Sequence, residues 1–303
     1  PLLAATAGLL AASLASPPAL AATQAQATAT LSGITLTLID LDADDGITPW
    51  ISFAGQAFSY VTVFDTSQAV NLYRGESASA AFNLVAQGRS LPGGGADVMV
   101  GGSTGSLTQT VFGAGSWLIG DISSGGSTLG IAGTPGTGML AGFGGVGLLN
   151  DADVGLGFSL SARTRVEFSG QASLLAAVGS GYVDVPGLDS DNYASANALA
   201  GFSIADASGG APLQSQLFLD VDNTQLFDPV SGQYLPRSAR LDQALSVGYS
   251  NLGDLALSEL HFDAQVRVNG ASFAVSAVPE PQSHALMLAG LGLIGWLGLR
   301  RRG

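Results

Sequence analysis

A chain of 303 residues with 10 basic side chains against 23 acidic ones has a formal net charge of −13, which argues against nucleic acid or an anionic membrane surface as partner. It has no cysteine, and every basic residue is arginine, so disulfides, a thiol nucleophile and the lysine of a phosphate-binding loop are all excluded. With 47% hydrophobic residues and 43 glycines, the chain is long and apolar enough to bury a sizeable core, but it is heavily punctuated by turn formers.

At the amino terminus, Leu2 to Leu14 is apolar and rich in leucine and alanine, and Ala19-Leu20-Ala21 fits a small-x-small cleavage site. Residues 1–21 therefore read as a secretory signal helix, with the mature protein starting near Ala22. The segment opens on Pro1 and lacks a basic stretch, so the signal is expected to be clipped at its start. It is short for a membrane span and is broken by Pro17 and Pro18.

Residues 22–277 form the body, read as a single domain of about 255 residues. Ile34, Leu36 and Leu38 alternate with Thr35 and Thr37, the mark of a strand with one face on a core and one in water. Phe58 to Val63 is a β-branched and aromatic run. The glycine-rich stretch from Gly125 to Gly157 contains Ile131, Phe143, Val146, Leu148 and Leu149, too apolar for a free linker, and is read as short strands and tight turns. Leu217, Leu219 and Val221 alternate again. Leu260, Phe262, Ala264, Val266 and Val268 form one face of a later strand, with Glu259, His261, Asp263, Gln265 and Arg267 on the other. Asp44-Asp45-Gly46, Gly93-Gly94-Gly95, Gly125-Gly126, Gly209-Gly210 and Asn269-Gly270 read as turns, the last as a type I′ hairpin. The pattern predicts an all-β body, an antiparallel β-sandwich or jelly-roll-like fold.

Candidate chemistry within the body is sparse. Asp40, Asp42, Asp44 and Asp45 before Gly46 place hard oxygen ligands at alternate positions, a pattern that suits calcium. The spacing departs from an EF-hand loop: the glycine falls one position late, and Ile51 stands where a bidentate glutamate is needed. The plainer reading is a strand with a polar face that ends in an Asp-Gly turn. Asp220, Asp222, Asn223 and Asp228 admit the same two readings, and Asp189 and Asp191 read as a solvated turn. His261, the only body histidine, reads as a solvated side chain rather than a general base. Carboxylates are numerous enough for a glycosidase pair, yet no spacing selects one.

The carboxy terminus is the most specific segment. Val278-Pro279-Glu280-Pro281 precedes an apolar run from Ala285 to Leu299, and Arg300-Arg301-Arg302 follows. The prolines hold their neighbours extended, which suits a protease site. The 15 apolar residues span about 22 Å as a helix, short of a hydrocarbon core of roughly 30 Å. Gly290, Gly292, Gly295 and Gly298 weaken that helix further. The arginine cluster marks the cytoplasmic side. Together these parts read as a single transmembrane helix within a sorting signal over residues 278–303, held briefly in the membrane and then removed.

This arrangement resembles the carboxy-terminal signal of the PEP-CTERM proteins. The body resembles the same family at Leu38-Ile39-Asp40-Leu41-Asp42 running into Asp45-Gly46-Ile47-Thr48-Pro49, at Arg163 to Gly170, and at Tyr249-Ser250-Asn251-Leu252-Gly253. The resemblance implies a Gram-negative envelope, and the amino-terminal signal implies the secretory translocon as the export route. It also implies processing near Val278-Pro279-Glu280-Pro281 by an exosortase, an integral-membrane cysteine protease. It implies an exported, non-enzymatic β-sandwich protein of the cell surface or the extracellular polysaccharide matrix. A calcium-dependent carbohydrate-binding module is the first alternative, with Trp50, Tyr73, Tyr182 and Tyr193 gathered on one face. A polysaccharide-active hydrolase is the second, and it requires two facing carboxyls, one with a raised pKa. No catalytic residue is assigned, and calcium is the only cofactor considered.

Overall fold

The computed structural model describes residues 22–54, 59–65, 96–101, 110–131, 138–149, 156–182, 193–206 and 210–275. The sequence-predicted signal helix and membrane helix lie outside these residues. Among the described residues the fold is all-β with antiparallel sheets, and no helix is long and apolar enough to cross a membrane.

The first half of the chain contributes β1 (Ala22–Asp40), β2 (Trp50–Ala54), β3 (Ser59–Asp65), β4 (Ala96–Gly101), β5 (Val111–Phe112), β6 (Gly115–Ile131), β7 (Gly138–Leu149) and β8 (Leu156–Leu160). The second half adds β9 (Thr164–Val178), β10 (Gly181–Tyr182), β11 (Tyr193–Asp206), β12 (Leu213–Asp222), a 3₁₀ turn at Asn223–Gln225, β13 (Phe227–Asp228), β14 (Gln233–Tyr234), β15 (Arg237–Asn251) and β16 (Leu257–Val275). One five-stranded sheet runs β15-β9-β1-β6-β4. The eight-stranded sheet runs β12-β11-β16-β8-β2-β5, and the later part of β16 pairs with β7, which pairs with β3. The two sheets pack face to face over one hydrophobic cluster, a β-sandwich.

The apolar alternation decides which face is buried. Ile34, Leu36 and Leu38 are buried, as are Leu260, Phe262, Ala264, Val266 and Val268, and the residues between them lie at the surface or half-buried. At the centre Phe168 stacks on Phe262 and packs edge-on against Phe53 and Phe158, with ring centroids 6.4 and 6.2 Å away. Towards the other end the core turns to alanine: Ala25, Ala27 and Ala29 of β1 are buried, as are Ala194, Ala196, Ala198 and Ala200 of β11. The facing strands β1 and β11 come within 8 Å at some of their Cα atoms, as do β1 and β16, closer than the roughly 10 Å typical of packed sheets, and small alanine side chains permit such an approach.

Two predicted turns are strands instead. Asn269-Gly270 sits inside β16, where Asn269 pairs with Asn197 of β11 and with Gly144 of β7. The alternation carries straight through the dipeptide, with Gly270 and Ser272 buried after Val268, and this pairing on both edges overrides the turn propensity. Gly125-Gly126 lies inside β6, opposite Thr28 and Ala27 of β1. Of the stretch after it, residues 138–149 form the long β7 rather than short strands, and residues 132–137 and 150–155 lie outside the described residues. Asp44-Asp45-Gly46 is a turn as expected, with Gly46 at φ +74°.

The sandwich has two distinct ends. Ala22 starts β1 and Val275 ends β16 at one of them, the base. Asp40, Trp50, Thr164, Asn251 and Leu257 mark the other, the apex.

Candidate functional site

The apex brings together the three body segments that stand out in the sequence. The Leu41 N–H donates to the Arg163 carbonyl at 2.8 Å, and the Arg163 N–H donates to the Gly253 carbonyl at 3.2 Å. Arg163, at φ 48°, also hydrogen-bonds through its guanidinium to exposed Asp254. Asn251 is buried and satisfies this corner by itself. Its Nδ2 donates to the carbonyls of Ser161 at 2.9 Å and Leu255 at 2.8 Å, and its Oδ1 accepts from the Gly253 N–H at 3.0 Å. Ser161, also buried, accepts from the Trp50 N–H at 2.8 Å and shares a 2.7 Å bond with the Thr164 hydroxyl. These residues tie one sheet to the other, and this apex framework is a structural role the sequence reading did not assign.

The aspartates of the same corner serve its turns. Asp40 Oδ1 accepts from the Asp42 N–H at 3.0 Å, and Asp45 Oδ1 accepts from the Ile47 N–H at 2.6 Å, each a turn closed by its own side chain. Asp42, Asp44 and Asp45 are exposed. Among the described residues, these included, no group of three or more His, Asp or Glu side chains is placed to hold a metal ion.

The base is closed the same way by a second buried amide, Asn223. Its Oδ1 accepts from the Ala194 N–H at 3.0 Å in one sheet, and its Nδ2 donates to the Gly179 carbonyl at 2.9 Å beside the other. Asp222 caps the 3₁₀ turn by accepting from the Thr224 N–H at 2.8 Å. Asp228 accepts from the Ser231 hydroxyl at 2.6 Å and the Val230 N–H at 3.0 Å, which hold its carboxyl below the usual range. The Asp220, Asp222, Asn223 and Asp228 set is thus divided among separate local structures.

Of the aromatic residues expected on one face, half-buried Trp50 lies at the apex, while Tyr193 lies at the base, stacked on Phe273 with centroids 5.6 Å apart. Tyr73 and the side chain of Tyr182 lie outside the described residues, as do Asp189 and Asp191. Among the described residues the carboxyls of Asp228 and Asp242 are both held below the usual range. The latter is lowered by hydrogen bonds from Arg240 and then Ser173. Both shifts run opposite to that of a general acid. His261 is half-buried rather than solvated. Its Nδ1 is enclosed without a hydrogen-bond partner among the described residues.

Val278, Pro279, Glu280, Pro281, Arg300, Arg301 and Arg302 lie outside the described residues, and comparison with known families locates their function. The model of the PEP-CTERM protein-sorting motif matches residues 277–302. The chain carries a PEP-CTERM sorting motif. That motif is a recognition signal for exosortase processing, and it implies export with membrane-anchored processing before surface display. No curated protein matches this chain. Among solved structures, one of carbohydrate-binding modules from the β-sandwich superfamily aligns at 10% identity and a TM-score of 0.12, covering 74% of this chain and 86% of that one. The C-terminal domain of the Streptococcus pyogenes antigen I/II-family protein AspA aligns at 9% identity and a TM-score of 0.08, covering 84% and 92%. Neither likeness bears on what this chain binds.

Proposed function

We propose that this is an exported, non-enzymatic surface or extracellular-matrix protein, a single β-sandwich body over residues 22–277. An exosortase-type protease would process it near Val278-Pro279-Glu280-Pro281. In this reading residues 1–21 direct it to the secretory translocon, Ala285 to Leu299 hold it in the inner membrane of a Gram-negative cell, and Arg300 to Arg302 keep the tail end in the cytoplasm. The observation that carries the reading is the sorting motif at 277–302, placed directly after the last strand of the sandwich. A binding or scaffolding role is supported by buried Asn251, Ser161, Thr164 and Asn223, whose polar groups are spent on closing the two ends of the body. The association with exopolysaccharide follows from the family resemblance.

The test is the intact mass and location of the protein in its host, beside a variant with Pro279-Glu280-Pro281 changed to Ala-Ala-Ala. The wild type is expected outside the inner membrane and shortened at its carboxy terminus, with the variant full-length in that membrane. If both proteins keep Arg300 to Arg302 and remain membrane-bound, the tail is an ordinary anchor and the sorting reading fails.

A further inference from the structure

We infer that the β13–β14 hairpin at the base is a lipid-contacting foot, by which the sandwich rests on the membrane while its tail is inserted. The inference rests on the sorting reading and extends it to the body.

The hairpin is where exposed apolar side chains concentrate at this end. Val230 at its tip is 94% exposed, with Phe227 at 48%, Leu226 at 45% and Leu235 at 41% around it. It is a built feature, paired Phe227↔Tyr234 and Asp228↔Gln233, with the Leu235 N–H donating to the Leu226 carbonyl at 2.8 Å and Phe227 edge-on to Tyr234. The Asp228 bonds to Val230 and Ser231 fix the turn that presents Val230.

Position selects the occupant. Asn223, at the root of the hairpin, bonds to Ala194, and Ala194 pairs with Ser272, three residues before β16 ends at Val275. The sorting motif begins at residue 277. The apolar run that enters the bilayer begins at Ala285, ten residues after Val275, a reach of at most about 36 Å for an extended chain, so the base with its hairpin is the end of the body that can be held near the bilayer surface. The apex, about 60 Å away along the 19 residues of β1, points outward. The charge balance also matters: Asp222 and Asp228 flank the hairpin, and Arg237 is turned onto Gln225. Attraction to anionic headgroups therefore contributes nothing, and contact relies on apolar side chains entering the interface of a zwitterionic surface.

The absence of cysteine makes the test clean. The full chain is placed in phosphatidylcholine vesicles carrying a nitroxide lipid, with one environment-sensitive fluorophore at Val230→Cys, Leu255→Cys or Leu291→Cys. The expected result is quenching from the lipid at Val230→Cys and at the tail site Leu291→Cys, with quenching only by aqueous iodide at the apex site Leu255→Cys. If Leu291→Cys is quenched from the lipid while Val230→Cys is reached only by iodide, the foot is overturned and the sorting reading stands. Shielding of Val230→Cys from both quenchers would put a second copy of the chain on the hairpin and also overturn it. If Leu291→Cys itself stays in water, the membrane-held stage fails, and the foot with it.

Discussion

Two buried asparagines hold the ends of this molecule, and each illustrates why a short polar side chain belongs in an otherwise apolar interior. Asn251 supplies two donors and one acceptor to backbone groups, buried at Ser161 and part-buried at Leu255 and Gly253. Asn251→Ala leaves those carbonyls and one N–H unpaired, at a cost of about 1–3 kcal/mol, read as a lower urea midpoint with an unchanged slope. A substitution at exposed Leu252, the next residue, should leave the midpoint in place. Asp228 gives a different signature. Its folded pKa lies below the ordinary value because the Ser231 hydroxyl and the Val230 N–H favour the carboxylate. Its contribution is therefore fully present above the unfolded pKa of about 4 and is lost as pH falls through the lower folded value. Asp228→Asn should flatten the acid limb of a stability-against-pH curve below about pH 4 and lower stability near neutrality by the same amount, a small one because the group lies near the surface. An acid limb identical to the wild type would mean that the bonds to Ser231 and Val230 do not persist in solution.

The elements were legible wherever large apolar residues alternate, because a strand buried on one face must repeat every two residues. Ile34 to Leu38 and Leu260 to Val268 declare their faces in that way. Elsewhere alanine and glycine concealed the pattern. Gln24, Gln26, Thr28 and Thr30 alternate with Ala25, Ala27, Ala29 and Leu31 along β1 as strictly as any valine strand, yet alanine scores as neutral. The framework residues of the apex and base were harder still, since their partners lie far along the chain, 111 residues apart for Ser161 and Trp50. The alanine core makes its own prediction. Ala198 is fully buried and pairs with Leu219 and Val268 in a sheet drawn close to β1. Ala198→Leu must push the sheets apart or force its neighbours off their rotamers, so it should cost at least the roughly 1–3 kcal/mol usual for overpacking. The same change at exposed Ala244 should cost little. Thermal unfolding of the two variants side by side separates a crowded interior from a general intolerance of leucine.

At the scale of the whole molecule the governing quantity is charge. Removal of the three tail arginines leaves 7 basic residues against 23 acidic ones and takes the net charge from −13 to −16. Among the described residues Arg163–Asp254, Arg165–Glu167 and Arg240–Asp242 pair at the surface, each of little worth to stability. Self-repulsion therefore opposes folding at neutral pH, and it should weaken when salt shortens the Debye length to about 8 Å at 0.15 M. The processed protein is expected to melt at a higher temperature in 0.15 M sodium chloride than in dilute buffer, and the unprocessed chain, with its arginines retained, to respond less. Acidification first acts in the same direction, because protonating scattered carboxylates relieves repulsion. Below about pH 4 it reverses, as Asp228 and Asp242, both held below their ordinary pKa, lose the bonds that favour their charged forms. Stability should thus peak on the acid side of neutrality. A melting temperature that falls steadily from pH 7 downward, or that ignores salt, would show that the acidic groups lie too far apart to repel, and that the local bonds of Asp228 and Asp242 alone set the response.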